Sequence, residues 1–424
     1  MDFKPKGKQP NRFPKKAINI LVFCLIGYLC LSNFIWSNAR GLRDSFGRYS
    51  TGSKGGYYSH SITNVRSSNP DSNVIKEKSK FIFPLIQEAP ILNALGLDKL
   101  FKIETISEGG STRKKYSYSA DYFENLEAAN EIKANSKDSI SDLEKAAKNF
   151  KLNGHRVYAG NENPQIVIVT GIDFINIDPV TLVKIIQNRV DYAHLHSFAL
   201  YSRWIQEFTP LFEEHRSDAN KWSRLFIMRE AMQAFPNARW FWYLDESTLI
   251  ARNDLKIDSY ILKKESLDPI LLKNQPIILP DGAVKTYDNI KAEDVSLIIT
   301  QTGAGLNTDS FILKNDLYGR ALIEFWMDPL FRKYPAFRKD ESAALSHILQ
   351  WHPLLLSKTG IVPGRTIASI SDDSISIDIE GSKFIQDMDR SNVIYSQGDL
   401  VVNFKECLER STCAPWISKF VDSQ

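Results

Sequence analysis

Cysteine is scarce in this chain, which has four cysteines among 424 residues. Cys24 and Cys30 lie in an uncharged segment near the N-terminus, and Cys407 and Cys413 lie near the C-terminus. Two thiols alone make a poor metal site, so the cysteines give no indication of a zinc centre. In an oxidising compartment Cys407 and Cys413 can instead form a disulfide. The sequence also lacks an Asn-x-Ser/Thr motif, so N-glycosylation of the chain itself is not expected.

The chain also has no large excess of charge of one sign, because 53 basic residues accompany 50 acidic ones and the net charge is +3. The basic side chains are not gathered into a binding face, which argues against a nucleic-acid partner. Hydrophobic residues make up 43% and charged residues 24%, so global disorder is excluded and a packed core is expected. The length fits one large domain or two ordinary ones.

The basic excess lies at the N-terminus, where residues 1–16 carry six basic side chains and one acidic side chain. Residues 17–36 follow without a charge, and a helix of that length can cross about 30 Å of hydrocarbon. This order predicts a cytoplasmic tail over 1–16, a transmembrane signal anchor over 17–36 and a lumenal remainder, as in a single-pass type II membrane protein. A cleaved signal peptide is the alternative, but the apolar run is long for one and no clear cleavage site follows it.

Three segments follow the predicted span. Residues 37–79 are rich in Ser, Gly, Asn, Arg and Tyr, and this composition predicts a solvated lumenal stem without a core. Residues 80–160 contain a long polar stretch, over 119–150, whose pattern predicts one or two amphipathic helices. We therefore expect an accessory helical extension over 80–160, packed on a main domain over 161–424.

The main domain alternates predicted strands and helices. Strands are predicted over 165–172, 198–202, 239–244, 277–279, 296–300 and 310–313. Helices are predicted from Asp178 through Val190 and over 221–235, 316–326 and 341–351. This alternation predicts an α/β fold with a mostly parallel sheet and helices on both faces. Ligands of such sheets bind beyond the C-terminal ends of the strands, which puts 170–173 and 245–248 on one rim.

The most informative segment is WFWYLDEST, residues 240–248, in which an aromatic strand leads into Asp245, Glu246 and Ser247. Carboxylates at a strand end, often Asp-x-Asp, hold the divalent cation that bridges the diphosphate of a sugar nucleotide. Here the third position is a serine. The segment alone is therefore equally explained by a strand end followed by an Asx-type turn.

An ordered series of motifs over about residues 160–415 carries a family resemblance. The motifs are IVIVTGIDF (166–174), QNRVDYAHLH (187–196), YSRWIQEFTP (201–210), FPNARWFWYLDEST (235–248), TQTGAGLNTDSFILKN (300–315), FWMDPL (325–330), ILQWHPLLLSKTGIV (348–362) and GDLVVNFKECLERSTC (398–413). Together they resemble the fungal alpha-1,6-mannosyltransferase and alpha-galactosyltransferase family, and within it a subunit of the yeast Golgi mannan polymerase II complex.

The resemblance implies a GT-A-type, Rossmann-like fold and a retaining alpha-1,6-mannosyltransferase activity. It implies GDP-mannose as donor, Mn²⁺ as cofactor, and the alpha-1,6-mannan backbone of N-linked glycans on cell wall mannoproteins as acceptor. It further implies a Golgi membrane location, with other mannosyltransferase subunits of a mannan polymerase complex as partners.

The resemblance also assigns roles to individual residues. The expected donor-binding residues are Thr170, Asn188, Arg189, Asp191, Tyr192, Arg229, Asp245, Gln301, Asn307 and Ser310. Asp245 is the expected metal ligand, and Asp328 and Glu341 are the expected catalytic acids. Simpler interpretations stay open for five of these: helix packing for Tyr192, a surface position for Arg189 and Arg229, an N-cap before Pro329 for Asp328, and a helix cap beside Asp340 for Glu341.

Three positions depart from the family pattern. Ser247 occupies the position of a second Asp, Asn403 that of a metal-binding His, and Asp309 that of a Gly. A hydroxyl and an amide are weaker ligands for a divalent ion than a carboxylate and an imidazole. Two hypotheses follow: an active enzyme with Mn²⁺ on Asp245, the diphosphate and water, or a largely non-catalytic subunit of the same fold. A membrane-tethered binding module is a third interpretation.

Overall fold

The computed structural model describes residues 74–77, 80–82, 101–108, 111–118, 157–160, 162–173, 177, 179–212, 219–279, 282–303, 305–337, 340–371, 393–404, 415, 417 and 420–421. All of them belong to one compact unit, Lys54–Gln424. The predicted tail over 1–16, the span over 17–36, the helices over 119–150 and the pair Cys407 and Cys413 lie outside the described residues. Within the described part of the chain, no helix is long and apolar enough to cross a membrane.

The strands, in chain order, are β1 Val74–Glu77, β2 Phe81–Ile82, β3 Phe101–Glu108, β4 Ser111–Tyr118, β5 Val157–Gly160, β6 Ile166–Ile172, β7 Ala199–Trp204, β8 Trp240–Leu244, β9 Thr248–Ile250, β10 Leu297–Thr302, β11 Gly305–Lys314, β12 Thr359–Val362, β13 Ser369–Ile370 and β14 Val401–Asn403. The α-helices are α1 Pro179–His196, α2 Ala219–Ala234, α3 Lys264–Leu267, α4 Leu317–Trp326, α5 Pro329–Arg332, α6 Glu341–Trp351 and α7 Pro353–Leu356. Single turns of 3-10 helix lie at Asp268–Ile270, Ala292–Asp294 and Gly364–Thr366, a longer one at Ile205–Leu211, and a π-helix at Asp258–Leu262.

A seven-stranded sheet forms the centre of this unit, in the order β12-β10-β11-β8-β6-β7-β2. β11 runs antiparallel to both of its neighbours, β10 and β8. The other neighbouring strands are parallel. The predicted α/β class with a mostly parallel sheet is therefore confirmed.

Side chains of the central strands alternate between two hydrophobic cores, because successive residues of a strand point to opposite faces. On β6, Ile166 and Ile168 join one core, while Val167 and Val169 join the other. Helix α1 packs in the first core, and helices α2, α4 and α6 pack in the second. The prediction of helices on both faces is confirmed, and burial on both sides explains the apolar run 166–169 of β6.

A second sheet, β13-β14-β9, begins directly after β8, because only a turn over 245–247 separates β8 from β9. β14 pairs antiparallel with β9, with Asn403 opposite Thr248. The Phe404 N–H donates to the Ser247 carbonyl at 2.7 Å. This pairing brings a strand from near the C-terminus against the turn that follows β8.

Most predicted elements of the main domain are confirmed, but the strand predicted over 277–279 is wrong. Pro276 has no N–H for a strand ladder. The residues after it turn tightly, with the Gly282 N–H donating to the Ile278 carbonyl at 2.8 Å. Strands β9, β12, β13 and β14 are not predicted by periodicity, because none of them exceeds four residues.

The described parts of the accessory extension predicted over 80–160 are strands, and the helices predicted within it, over 119–150, lie outside the described residues. β2 pairs parallel with β7 and extends the central sheet. β3 and β4 form an antiparallel hairpin, and the dipeptide Gly109-Gly110 between them favours a two-residue hairpin turn. β5 pairs parallel with β1, so the last part of the stem predicted over 37–79 also takes part in a sheet.

Candidate active site

The carboxyl end of β8 forms a turn that carries Asp245. The Asp245 N–H donates to the Asp309 carbonyl on β11 at 2.7 Å, and the Asp245 carbonyl accepts from the Thr248 N–H at 3.0 Å. The next side chain, Glu246, reaches the end of β6, where its Oε2 accepts from the Asp173 N–H at 2.7 Å. The two strand ends that were predicted to share a rim are therefore in contact.

One buried arginine joins three carboxylates at this rim. Arg224 lies on α2, and its Nη2 is 3.3 Å from Asp245 Oδ1. Its Nη1 is 3.3 Å from Asp309 Oδ1 and 2.9 Å from Glu341 Oε1. The Thr308 hydroxyl accepts from Arg224 Nη1 at 2.7 Å and donates to Glu341 Oε1 at 2.7 Å. We call Arg224, Asp245, Asp309 and Glu341 the carboxylate–arginine cluster.

Arg224 is held as a cation in this cluster. Burial works to lower its pKa, but Glu341, Asp245, Tyr243 and Asp309 outweigh burial and hold the pKa of Arg224 well above its usual value. The guanidinium also lies over the Tyr243 ring, 5.6 Å from its centroid. Three carboxylates and one guanidinium leave the cluster rich in negative charge when all are ionised.

Glu246, beside the cluster, is also buried. Burial is the main cause that raises the pKa of its carboxyl group well above the usual value, and the charges of Asp245 and Asp173 add to the shift. Burial and like charges both disfavour the ionised form. Glu246 therefore retains a proton at pH values where an exposed glutamate has lost it.

The carboxylates of Asp245 and Asp309 are the groups at the rim that a resident divalent cation would use as ligands. Both Oδ1 atoms of Asp245 and Asp309 accept from Arg224 at 3.3 Å. The Oδ2 of Asp245 accepts from the Ser247 hydroxyl at 3.1 Å, and the Oδ2 of Asp309 accepts from Asn403 Nδ2 at 3.1 Å. Among the residues that the structure describes, no group of three or more His, Cys, Asp or Glu could hold a metal ion. The donor set therefore does not fit the Mn²⁺ site that the resemblance implies.

Glu341, the second predicted catalytic acid, lies in the cluster at the start of α6. The helix cap is the residue before it, since Asp340 Oδ1 accepts from the N–H groups of Ser342 and Ala343 at 3.1 Å each. The Glu341 side chain is buried, and its Oε2 has no hydrogen-bond partner among the described residues. A buried carboxylate oxygen without a donor is rare in proteins, which makes this atom a candidate acceptor for a ligand hydroxyl.

Two predicted donor-binding residues of α1, Asn188 and Arg189, hydrogen-bond to the backbone of residues 245–250. Asn188 Nδ2 donates to the Ile250 carbonyl at 2.8 Å, and its Oδ1 accepts from the Ile250 N–H at 2.9 Å. Arg189 is fully buried, and its Nη2 donates to the carbonyls of Asp245, at 2.7 Å, and Thr248. Burial lowers the pKa of Arg189 to about 10. The surface interpretation of Arg189 is wrong, and both residues position Asp245 through the backbone.

Three further predicted residues also contact the protein itself. Tyr192 is buried, and its hydroxyl donates to the Leu255 carbonyl at 2.7 Å, which confirms the helix-packing interpretation. Asp191 is half-buried on α1, and its Oδ1 accepts from Gln187 Nε2 at 2.7 Å. Thr170 is fully buried at the end of β6. Tyr192 and Thr170 thus lie in the protein interior, and Asp191 is bonded within its own helix.

The predicted donor-binding residues of β10 and β11 also form hydrogen bonds with other groups of the protein. Gln301 Nε2 donates to the Ile277 carbonyl at 2.7 Å, so it holds a neighbouring loop. The Ser310 hydroxyl accepts from Trp242 Nε1 at 3.1 Å inside the sheet. Asn307 lies closer to the cluster, where its Oδ1 accepts from the Asp309 N–H at 3.0 Å.

The structure corrects the predictions for Arg229 and Asp328. Arg229 is buried, with Nη1 3.3 Å from Glu324 Oε2 on α4, so the surface interpretation is wrong. Five residues of α-helix correspond to about 140° of rotation, which turns Arg229 away from the side of α2 that carries Arg224. Asp328 is exposed and caps α5, since its Oδ1 accepts from the Leu330 N–H at 2.8 Å. The N-cap interpretation is confirmed, and the predicted catalytic place of Asp328 is not.

The sequence patterns did not identify Arg224, Thr308 or Glu246, and they marked Asp309 only as a departure from the family. One signal for Arg224 was available. It precedes Leu-Phe-Ile-Met in a helix, and a charged residue within such an apolar stretch is usually buried with a partner. The identity of its partners could not be read from that signal.

Comparisons with known proteins agree with the motif series. Residues 162–414 match the model of the galactosyl transferase GMA12/MNN10 family. The chain is similar to MNN11 of Saccharomyces cerevisiae, named a probable alpha-1,6-mannosyltransferase, with 35% identity over 81% of this chain and 79% of the relative. It is 29% identical to MNN10 of the same organism, also named a probable alpha-1,6-mannosyltransferase, over 52% of this chain and 54% of the relative. It is 25% identical to an alpha-1,2-galactosyltransferase of Schizosaccharomyces pombe, over 61% of this chain and 66% of the relative.

The matched residues contain all eight motifs of the predicted family and the whole carboxylate–arginine cluster. The family model spans more than half of the chain, and the similarity to MNN11 extends over most of both proteins. The chain therefore belongs to the galactosyl transferase GMA12/MNN10 family of glycosyltransferases.

Proposed function

We propose that this chain is a retaining alpha-1,6-mannosyltransferase with a GT-A-type fold and a subunit of a Golgi mannan polymerase complex. It transfers mannose from GDP-mannose and elongates the alpha-1,6-mannan backbone of N-linked glycans on cell wall mannoproteins. The observation that carries the proposal is the similarity to MNN11, named a probable alpha-1,6-mannosyltransferase. The position of the carboxylate–arginine cluster supports it, because parallel sheets bind their ligands beyond the strand ends.

In a retaining transfer of this kind, the acceptor's 6-hydroxyl attacks C1 of mannose on the face from which GDP departs. The departing diphosphate accepts the proton of that hydroxyl, so no side-chain nucleophile is needed. The contribution of the protein is then orientation and electrostatic stabilisation. The residues placed for it are Asp245, which is partly exposed at the rim, Arg224, which carries a fixed positive charge, and Glu341, with its unused Oε2.

A second candidate is a non-catalytic subunit of the same fold, which supports partner glycosyltransferases in the complex. The observation that favours it is the hydrogen bonding of Asp245 and Asp309, whose four carboxylate oxygens all accept from protein donors. Such a cluster can stabilise the fold without binding a substrate. The two candidates differ in whether this chain alone transfers mannose.

The test uses the full-length chain purified in detergent, with GDP-mannose and an alpha-mannoside acceptor. We expect the wild type to extend the acceptor through a 1,6-linkage and Asp245→Ala to lose that activity. Asp254→Ala is the matched control, because Asp254 is exposed and forms an ion pair with Arg252 at the surface. A wild-type chain that neither binds GDP-mannose nor transfers mannose would refute the active-enzyme proposal. Equal transfer by Asp245→Ala would refute the assigned site.

The proposed location is the Golgi membrane, with residues 1–16 cytoplasmic, a span over 17–36 and the family domain in the lumen. Protease treatment of sealed Golgi vesicles tests this topology. We expect protection of an epitope at the C-terminus and loss of one at the N-terminus, and cleavage of both would contradict it. Co-purification of other mannosyltransferases with the tagged chain tests the proposed complex.

A further inference from the structure

The two neutral residues at the degenerate metal positions are fixed by the fold against the acidic pair. Ser247 and Asn403 are fully or almost fully buried. Ser247 is held by its carbonyl, which accepts from the Phe404 N–H at 2.7 Å, and Asn403 is paired opposite Thr248 in the β9–β14 ladder. The turn before β9 and the paired strand β14 therefore place the two donor groups next to the acidic pair.

Each of these side chains presents a hydrogen and not a lone pair to a carboxylate. The Ser247 hydroxyl donates to Asp245, and the Asn403 amide nitrogen donates to Asp309, both at 3.1 Å. A divalent cation requires oxygen or imidazole lone pairs on several sides, and six or more ligands are usual for the hard cations. At this rim the groups that a metal ion would use as ligands are already hydrogen-bonded to one another.

Arg224 supplies a positive charge to the same pair of carboxylates. Its Nη atoms lie 3.3 Å from Asp245 and from Asp309, and its side chain is 6% exposed. Its Nε is buried and has no hydrogen-bond partner among the described residues. A buried guanidinium N–H without an acceptor is costly unless a ligand satisfies it. The cluster thus contains a cation of its own and one donor that its protein contacts leave unused.

We propose that Arg224, Ser247 and Asn403 together replace a divalent cation at this rim, so that the chain binds its nucleotide sugar without a metal ion. The guanidinium takes the place of the cation next to the diphosphate. Ser247 and Asn403 donate hydrogen bonds to the carboxylate oxygens that would otherwise bind the metal ion. The unused Nε–H is the donor that Arg224 offers to a phosphate oxygen, and the charge of the guanidinium strengthens that contact. The nucleotide part of this inference rests on the proposed function, and the metal part does not.

The metal part is tested with MnCl₂ alone, by electron paramagnetic resonance of free Mn²⁺ in the presence of the full-length chain. We expect the wild type and Asp245→Asn to leave the free Mn²⁺ signal equally unchanged. The double variant Ser247→Asp/Asn403→His should bind Mn²⁺ about tenfold or more tightly than the wild type, because it adds a carboxylate and an imidazole to the same edge. Asp254→Asn is the control for adventitious binding at an exposed acid, and circular dichroism melting verifies that each variant is folded.

Stoichiometric Mn²⁺ binding by the wild type that is lost in Asp245→Asn would overturn the inference, whatever the double variant does. A folded double variant without a gain in Mn²⁺ affinity would overturn the roles of Ser247 and Asn403. If the double variant does not fold, the single variant Ser247→Asp provides the same comparison at one position. None of these measurements uses the nucleotide.

The nucleotide part is tested by titrating GDP-mannose into the chain in the presence of EDTA and again with added Mn²⁺. We expect the same affinity in both conditions and a loss of about tenfold or more in Arg224→Gln. A requirement for Mn²⁺ would overturn the inference and leave the proposed function intact. Absence of binding in both conditions, together with unchanged Mn²⁺ signals, would count against the proposed function while the metal part stands.

Discussion

Replacement of Arg224 by methionine is the most direct test of the cluster as a structural unit. Met preserves much of the side-chain volume and removes the charge and all donors. The three carboxylates would then lose their common partner, while their side chains remain between 3% and 14% exposed. Breaking a buried ion pair from one side costs about 3–5 kcal/mol, because the remaining charge stays buried without compensation. We expect a loss of about that size in the free energy of unfolding.

The assay is urea denaturation of the full-length chain, followed by tryptophan fluorescence. Trp242 and Trp326 are buried near the cluster elements, so their emission reports the packing around it. Arg252→Met is the matched control, because Arg252 forms an ion pair with Asp254 at the surface. We expect no measurable loss from that change. The reasoning is refuted if Arg224→Met denatures at the same urea concentration as Arg252→Met.

A second variant separates charge from packing in the same experiment. Asp309→Asn removes one of the negative charges that Arg224 balances and retains the shape of the side chain. In combination with Arg224→Met it should restore part of the lost stability, with a coupling energy of about 0.5–3 kcal/mol. Additive losses in the double variant would mean that the two residues do not interact as the structure indicates.

Three further predictions concern the support of the site. The pKa of Glu246 is higher in the folded state than in the unfolded state, so the folded state binds more protons. The free energy of unfolding should therefore decrease as the pH rises from about 4.3, the unfolded pKa, through the folded pKa. Glu246→Gln should make this decrease smaller, as measured by urea midpoints at pH 5 and about pH 8. Asn188→Leu should cost about 2–4 kcal/mol in urea denaturation, because it leaves the buried N–H and carbonyl of Ile250 without partners, whereas Asn237→Leu at the exposed surface should not. Asp328→Ala should lower the free energy of unfolding by about 1 kcal/mol through loss of the α5 cap, and it should leave mannose transfer unchanged. Glu341→Gln should reduce mannose transfer. Reduced transfer in Asp328→Ala would contradict the position of Asp328 outside the site.

The sequence by itself predicts the α/β class and most elements of the family domain. Strands β6 and β8 are mostly apolar because both of their faces are buried, and this is visible in the sequence as short apolar runs. Helices α1 and α6 follow from Pro179 and Asp340 at their N-termini. Asp245 at the end of β8 follows from the rule for ligand sites in parallel sheets.

Short strands and the function of individual polar residues could not be predicted in this way. β14 is three residues long and has no periodicity of its own, so its pairing with β9 is set by packing. Asn188 and Tyr192 carry polar groups of the kind that bind nucleotides, and the structure shows that both donate to backbone carbonyls. A polar side chain in a family motif can therefore be retained for the support of a turn.

The sequence determined that an acid follows the central strand and that Ser247 and Asn403 stand where stronger metal ligands are expected. Only the tertiary structure decided which groups contact the acids at this rim. Arg224 meets Thr308 and Asp309 across 84 and 85 positions of sequence, and Asn403 meets Asp309 across 94. No local pattern specifies such contacts, because they arise when helix α2 and strands β11 and β14 pack at one rim and bury charges that must then be paired.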